Sequence, residues 1–260
     1  MTAGLLARAA GFLMAIATAT TTSCAGRHRG AGAPHAAPRG LHAQGDQQPF
    51  PAGVDARQYA LLRPVFVPQA TDASCSAAAM AMVVNALRRQ RGLAPLDERQ
   101  VAAADRSGRW ARRVQQGGPG VDLDSLRLHA LEAVTTLQGP AAPASVVDVL
   151  HAPPAEAGRG AAADALRAVH YVLARSAAQP GEAFVLANAR QRDLFRGGDD
   201  VGHFVVVGAF DEARSRVLLF DVDDRPDLPP FWLGTRQLLR AMRGRDDVTG
   251  ETRGLLWLHR

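Results

Sequence analysis

The chain has 260 residues, 47% of them apolar, so a sizeable core can form in one large domain or two small ones. The formal net charge is +5, but every basic residue is an arginine, the arginines are scattered and only 5% of residues are aromatic, so a nucleic-acid surface is not expected. Cys24 and Cys75 are the two cysteines, which excludes a disulfide framework and a cysteine-based zinc cluster.

Residues 1–23 carry one arginine (Arg8), an apolar stretch from Ala9 to Ala17 and a closing run of small residues, the layout of a secretory signal. The run stops at Cys24, followed by Ala25-Gly26, which resembles a bacterial lipoprotein processing site with Thr21 where leucine is preferred. The expectation is an exported, periplasmic or cell-surface protein lipidated on Cys24 and tethered to the membrane. Plain secretion and an uncleaved anchor are the alternatives. Residues 24–57 hold too little apolar surface to order themselves and read as a flexible tether. His28, His35 and His42 lie in it at seven-residue spacing, with nothing to fix their geometry for a metal. The folded domain is expected over residues 58–260.

Within that domain, Tyr59–Val67 is short and apolar and is expected as a strand. Ala73–Gln90 is rich in Ala, Met and Leu with no Gly or Pro, and predicts a buried helix. A second helix is expected over Leu96–Arg106, followed by a turn at Gly117-Gly-Pro-Gly120. Asp122 caps a third, whose apolar positions 123, 126, 130, 133 and 134 follow helical spacing, with His129 beside the stripe as a surface or packed histidine. Ser145–Leu150 and Ala161–Ala177 read as further helices. Then the period changes. Ala183–Ala187, Phe204–Phe210, Arg216–Phe220 and Gly254–Leu258 read as strands, the middle two as a hairpin. Helices followed by an antiparallel sheet make the class α+β.

Cys75 falls in the first turn of the central helix, where free N–H groups and the helix dipole favour a thiolate. The alternative is a small buried hydrophobe, the usual fate of a free cysteine. In the hairpin, placing Phe204 opposite Phe220 sets His203 opposite Asp221, within reach of a hydrogen bond that would fix the tautomer of a base. A one-residue slip would send the two to opposite faces. The other reading is a surface pair at a sheet edge. Together the set Cys75, His203, Asp221 has the order of a papain-like nucleophilic enzyme. For the oxyanion, the Cys75 backbone N–H and the Gln69 side-chain amide are the candidate donors, although Gln69 also reads as an ordinary loop residue.

These segments resemble a known family. Gln69…Cys75-Ser-Ala-Ala-Ala-Met-Ala-Met-Val-Val-Asn-Ala-Leu87 is similar to the nucleophile segment of phytochelatin synthases, which have a papain-like fold. Gly202-His203-Phe204…Gly208, Val217–Val222, Pro229–Trp232, Leu239–Met242, Asp246…Thr249-Gly250 and Arg253-Gly254 follow the family's order from about Val65 to Leu258. The resemblance implies a helical N-terminal lobe carrying the nucleophile and an antiparallel sheet lobe carrying His and Asp. It implies attack on the Cys–Gly amide of glutathione, loss of glycine, and a γ-glutamylcysteinyl thioester passed to another thiol peptide or to water. It makes Cys75 the nucleophile, His203 the base and acid, Asp221 the orienter and Gln69 the oxyanion donor. Asp246 and Arg253 match positions that grip the γ-glutamyl end, as a carboxylate suits an ammonium and a guanidinium a carboxylate. Without the match they read as a solvated polar loop. Asn188 and Arg192 match a family segment upstream of the histidine loosely, and the match implies substrate binding for Asn188.

The chain departs from the family at Ser76, where Gly is usual, and at Val205-Val206, where Ser-Pro is usual. The Asp223–Asp227 segment replaces an arginine- and lysine-bearing one. With these departures and no cysteine-rich C-terminal extension in view, hydrolysis is expected over efficient phytochelatin synthesis. No cofactor or resident metal is expected, and heavy-metal thiolates of glutathione enter only as substrate or activator. The expected partners are a small glutathione-like thiol peptide and a membrane reached through the lipid. A bacteriocin-processing type of peptidase and a non-catalytic envelope binding module are the competing readings.

Overall fold

The computed structural model describes residues 50–139, 142–195, 198–223, 230–247 and 249–260. The signal segment, Cys24 and the tether histidines lie outside the described residues. The elements in chain order are helices α1 (Arg57–Leu62), α2 (Cys75–Arg89), α3 (Glu98–Ala102), α4 (Arg109–Arg113) and α5 (Leu123–Leu137), then strand β1 (Val146–His151) and helix α6 (Gly158–Ala178). They continue with β2 (Phe184–Arg190), α7 (Gln191–Leu194), β3 (Gly202–Asp211), β4 (Arg216–Asp221), β5 (Phe231–Gly234), α8 (Thr235–Met242) and β6 (Gly254–His259). The six strands form one sheet in the order β1-β6-β2-β3-β4-β5, and every neighbouring pair is antiparallel. The class is α+β, as expected.

Helices cover both faces of the sheet, which is why β2 and β3 read as continuous apolar runs rather than as alternating ones. Phe184, Leu186, Phe204, Val206 and Phe220 pack with α2 and α5, whereas Val185, Ala187, Val205, Val207 and Leu219 pack with α6 and α8. Helix α2 is buried on all sides from Cys75 to Leu87, as a helix apolar all round must be. Truncating Met80 or Met82, both fully buried, is expected to cost about 2–5 kcal/mol. In α5 the buried residues are Leu123, Leu126, Ala130, Ala133 and Val134, and the Asp122 carboxylate accepts from the Ser125 N–H at 2.8 Å. The stripe and cap read from the sequence are thus both present.

Four expectations need correction. Residues 59–67 form no strand but α1 and a 3-10 turn, Arg63–Val65; Gln58 and Leu62 are buried at helical spacing. Ser145–Leu150 is not a helix but β1, whose valines pair with β6 from Val146↔His259 to His151↔Gly254. A short apolar run carries no decisive period, and its β-branched residues favour the strand. The second helix shrinks to α3, opened by a capping box between Asp97 and Gln100, because the chain turns at Gly108 in a left-handed conformation and starts α4. Packing also begins ahead of residue 58: Phe50 meets Tyr59 at 5.0 Å and Trp232 at 5.9 Å between ring centroids.

Candidate active site

The loop before α2 is tied down on every side. The Gln69 N–H donates to the Val222 carbonyl at 2.7 Å, joining the loop to the sheet just past Asp221. The Thr71 hydroxyl donates to the Val114 carbonyl at 2.7 Å, and the Thr71 N–H donates to the Ser74 hydroxyl at 3.0 Å. The Ala70 N–H donates to Glu98 Oε2 at 3.2 Å. Cys75 is then the first residue of α2 and is 2% exposed. Ser76, a departure from the family pattern, has a structural explanation: its hydroxyl accepts from the buried Trp110 indole N–H at 3.2 Å. Trp110 in turn stacks on His129, which is a packed residue beside Asp105.

His203 is the second residue of β3, and its Nε2 lies 2.5 Å from Asp221 Oδ1. The hairpin register differs from the sequence expectation. Asp221 is opposite Val205, and Phe220 is opposite Val206. His203 and Asp221 are therefore diagonal neighbours, two residues off direct opposition. An even offset keeps both on one face, and a diagonal pair is still within reach of long side chains. The offset arises from a longer β3, which runs to Asp211, and from a bulge at Gly208 between Val207↔Leu219 and Ala209↔Leu218. On the other side of β3, His203 faces Ala189 of β2, too small to compete for the ring.

The same ring also reaches the thiol: the His203 imidazole is hydrogen-bonded to Cys75. Burial by itself would push His203 down, but the Asp221 charge and hydrogen bond, with Cys75 behind them, hold it well above the ordinary histidine range. An imidazolium is therefore favoured between a carboxylate and a sulfur. Asp221 Oδ1 also accepts from the Asp223 N–H at 2.9 Å, which fixes the carboxylate.

A shallow cleft lies where β2, the start of β6 and the start of α5 converge, and Asn188, Asp246 and Arg253 all line it. Asp122, Asp124, His151 and Glu251 add to its wall. Asp246 Oδ2 is 3.9 Å from the Arg253 guanidinium, and both residues are buried, which overturns the solvated-loop reading. Arg253 also donates to the Arg245 carbonyl at 2.5 Å. It packs against Gly202, the residue before His203: a Cβ at Gly202 would stand 3.0 Å from Arg253 Nε. The cleft therefore adjoins the His203 end of β3. Asn188 is 2% exposed, and its Oδ1 has no hydrogen-bond partner among the described residues. The same holds for Gln69 Oε1. Arg192 does not line the cleft; it pairs with Asp200 at 2.5 Å.

Comparison with protein families matches residues 114–255, more than half of the chain, to Phytochelatin synthase. The chain belongs to the phytochelatin synthase family. The matched span holds His203, Asp221, Asn188, Asp246 and Arg253, while Gln69 and Cys75 lie upstream of it and are brought to it by the fold. Among solved structures, the chain is similar to xylellain, a cysteine protease from Xylella fastidiosa, at 12% identity over 72% of this chain and 79% of that one, with a TM-score of 0.35. No curated protein matches the chain. Membership of the phytochelatin synthase family supports cysteine-dependent transferase or hydrolase chemistry related to glutathione.

Sequence reasoning missed Glu98, Trp110 and the bulge at Gly208, which shape the site from outside the reacting groups. Gly208 was the most legible of them, as a glycine inside an apolar strand run is a bulge signal.

Proposed function

We propose that the protein is an exported cysteine acyltransferase and hydrolase that opens the Cys–Gly amide of glutathione or a related γ-glutamyl peptide. The observation that carries this reading is the His203 ring held between Asp221 and Cys75. An adjacent imidazolium favours the ionised thiol. The Cys75 sulfur attacks the cysteinyl carbonyl, and the negative charge moves to the carbonyl oxygen. The Cys75 N–H and the Gln69 amide stabilise that oxyanion. The tetrahedral intermediate collapses, the C–N bond breaks, and His203 gives its proton to the departing glycine amine. A γ-glutamylcysteinyl thioester remains on Cys75. His203, now neutral, takes a proton from water or from the amino group of an acceptor peptide. That oxygen or nitrogen attacks the thioester carbonyl, giving the free acid or a new amide, and the C–S bond breaks to release Cys75 as the thiolate.

In this reading the cleft holds the γ-glutamyl end, with Asp246 toward the ammonium and Arg253 toward the α-carboxylate. Asn188 contributes a buried acceptor. Water is favoured as the acceptor over a second metal-loaded peptide. Such a peptide is anionic, and the segment after Asp221 begins with the buried Asp223 and carries two further aspartates where the family has arginine and lysine. Heavy-metal thiolates of glutathione belong to this scheme as substrate or activator. The apolar leader and the small residues before Cys24 support export and a lipid on Cys24.

Incubation with glutathione, with and without cadmium, tests the assignment by mass spectrometry of the products. The expected products are glycine and γ-glutamylcysteine, with little longer thiol peptide. Intact glutathione under both conditions would remove the substrate assignment.

A further inference from the structure

One buried carboxyl group takes no part in the chemistry above. Glu98 opens α3 and is 5% exposed. Its Oε2 accepts from the Ala70 N–H at 3.2 Å, while the Ser74 hydroxyl donates to the Thr71 carbonyl at 3.1 Å and closes the loop on itself. Ala70 follows Gln69 directly, and Ser74 precedes Cys75 directly. Glu98 therefore holds the Gln69 end of the segment that separates the two candidate oxyanion donors, and the Thr71–Ser74 bonds tie that end to the Cys75 end. From the opposite side, the same segment is held by the Gln69 N–H on the Val222 carbonyl at 2.7 Å. The loop is suspended between the helical layer and the sheet, and Glu98 makes the helical attachment nearest Gln69, beside the Thr71 hydroxyl on the Val114 carbonyl.

The chemistry of the attachment points to more than packing. Burial raises the Glu98 pKa, against the opposing pull of the Ala70 N–H, the nearby Ser74 hydroxyl and Arg99. A carboxylate is an expensive way to fill this space, since burying charge without full pairing is unfavourable. It offers what an apolar residue cannot: an acceptor oxygen for the Ala70 N–H.

We propose that Glu98 is a positioning residue for the oxyanion hole, holding the Gln69–Ser74 loop so that the Gln69 amide and the Cys75 N–H converge on one point. This rests on the thiol chemistry proposed above. Loss of the grip lets the loop relax toward the sheet and moves the Gln69 amide away from the reacting carbonyl. The sulfur itself stays placed by α2 and His203.

Two reagents separate the effects. Iodoacetamide alkylates a thiolate by displacement at a saturated carbon, and no oxyanion forms. p-Nitrophenyl acetate acylates the same sulfur through a tetrahedral oxyanion. Rates of both are measured on the Cys75 peptide of the whole protein by mass spectrometry, for wild type, Glu98→Asp, Glu98→Gln and Glu98→Ala. Acylation is expected to slow about tenfold or more in Glu98→Ala and Glu98→Asp, with alkylation within about twofold of wild type. Glu98→Gln keeps an acceptor for the Ala70 N–H and is expected to recover most of the acylation rate. Parallel loss of both reactions would mean a merely structural role, and unchanged acylation would mean none; either overturns the proposal. A wild-type Cys75 inert to both reagents overturns the thiol chemistry itself, and this proposal with it.

Discussion

Gly208 lies against the ring of Phe220 so closely that a Cβ there would stand 2.6 Å from Phe220 Cε2 and 3.0 Å from Cδ2. Gly208 is also the extra residue in β3. Extended without it, the ladder from Ala209↔Leu218 would place Asp221 opposite Val206. That is one residue off the observed register, so Asp221 would face away from His203. The bulge brings the turn of the hairpin and the His–Asp pair into phase, a use of bulges that recurs beside active sites.

Substituting Gly208→Ala is therefore expected to destabilise the fold by about 1–3 kcal/mol through overpacking on Phe220. It should also weaken the His203–Asp221 contact. Thermal unfolding reads the first effect. The pH profile of Cys75 alkylation reads the second, and its alkaline limb should move down.

The raised pKa of His203 sets the direction of the pH dependence. The thiolate–imidazolium pair is lost when His203 gives up its proton, so the alkaline limb of activity should lie above neutral pH. In Asp221→Asn the charge that raises His203 is gone. The limb should then fall toward neutrality, and turnover should drop by about 10²–10⁴-fold. Stability follows the same sign. A group whose folded pKa is raised stabilises fully below its unfolded value, about 6.5 for histidine, and loses that contribution as pH rises through the folded value. The stability gap between wild type and Asp221→Asn should be wide near pH 6 and narrow at alkaline pH, as read by unfolding curves across that range.

Much of the site was legible in the chain, because it depends on local signals. Cys75 stands at the head of an uninterrupted helix-forming run, and His203 and Asp221 flank two apolar stretches around a polar turn. The hairpin register was not legible, since the bulge at Gly208 and the length of β3 are decided by packing on Phe220 and by pairing with β2 and β4. β1 was misread as a helix because its partner, β6, lies at the far end of the chain. β5 and α8 were missed as elements: β5 has only four residues, and α8 follows it without a break. The burial of Asp246 and Arg253 is a tertiary fact, produced by the approach of Arg253 to Gly202, and no local pattern announces it.

Ser76 offers a separate check on how the nucleophile helix is held. Ser76→Ala leaves the Trp110 indole N–H buried without its acceptor, and the expected loss is about 1–3 kcal/mol in chemical denaturation. In a Ser76→Ala/Trp110→Phe double variant both partners are absent, and most of that loss should be recovered.

In the cleft, Asp246→Asn keeps an acceptor for the Thr249 N–H while removing the charge that faces the substrate ammonium in the proposed scheme. The expected result is a higher KM for glutathione, by about tenfold to a hundredfold. Alkylation of Cys75 should be unchanged.

The most direct measurement is the mass of the Cys75 peptide after brief incubation with glutathione and an acid quench, run beside a Cys75→Ala protein. The account expects a γ-glutamylcysteinyl adduct on Cys75, glycine released in step with it, and neither product from Cys75→Ala. Glycine release that persists in Cys75→Ala, or an adduct on any other residue, would contradict it.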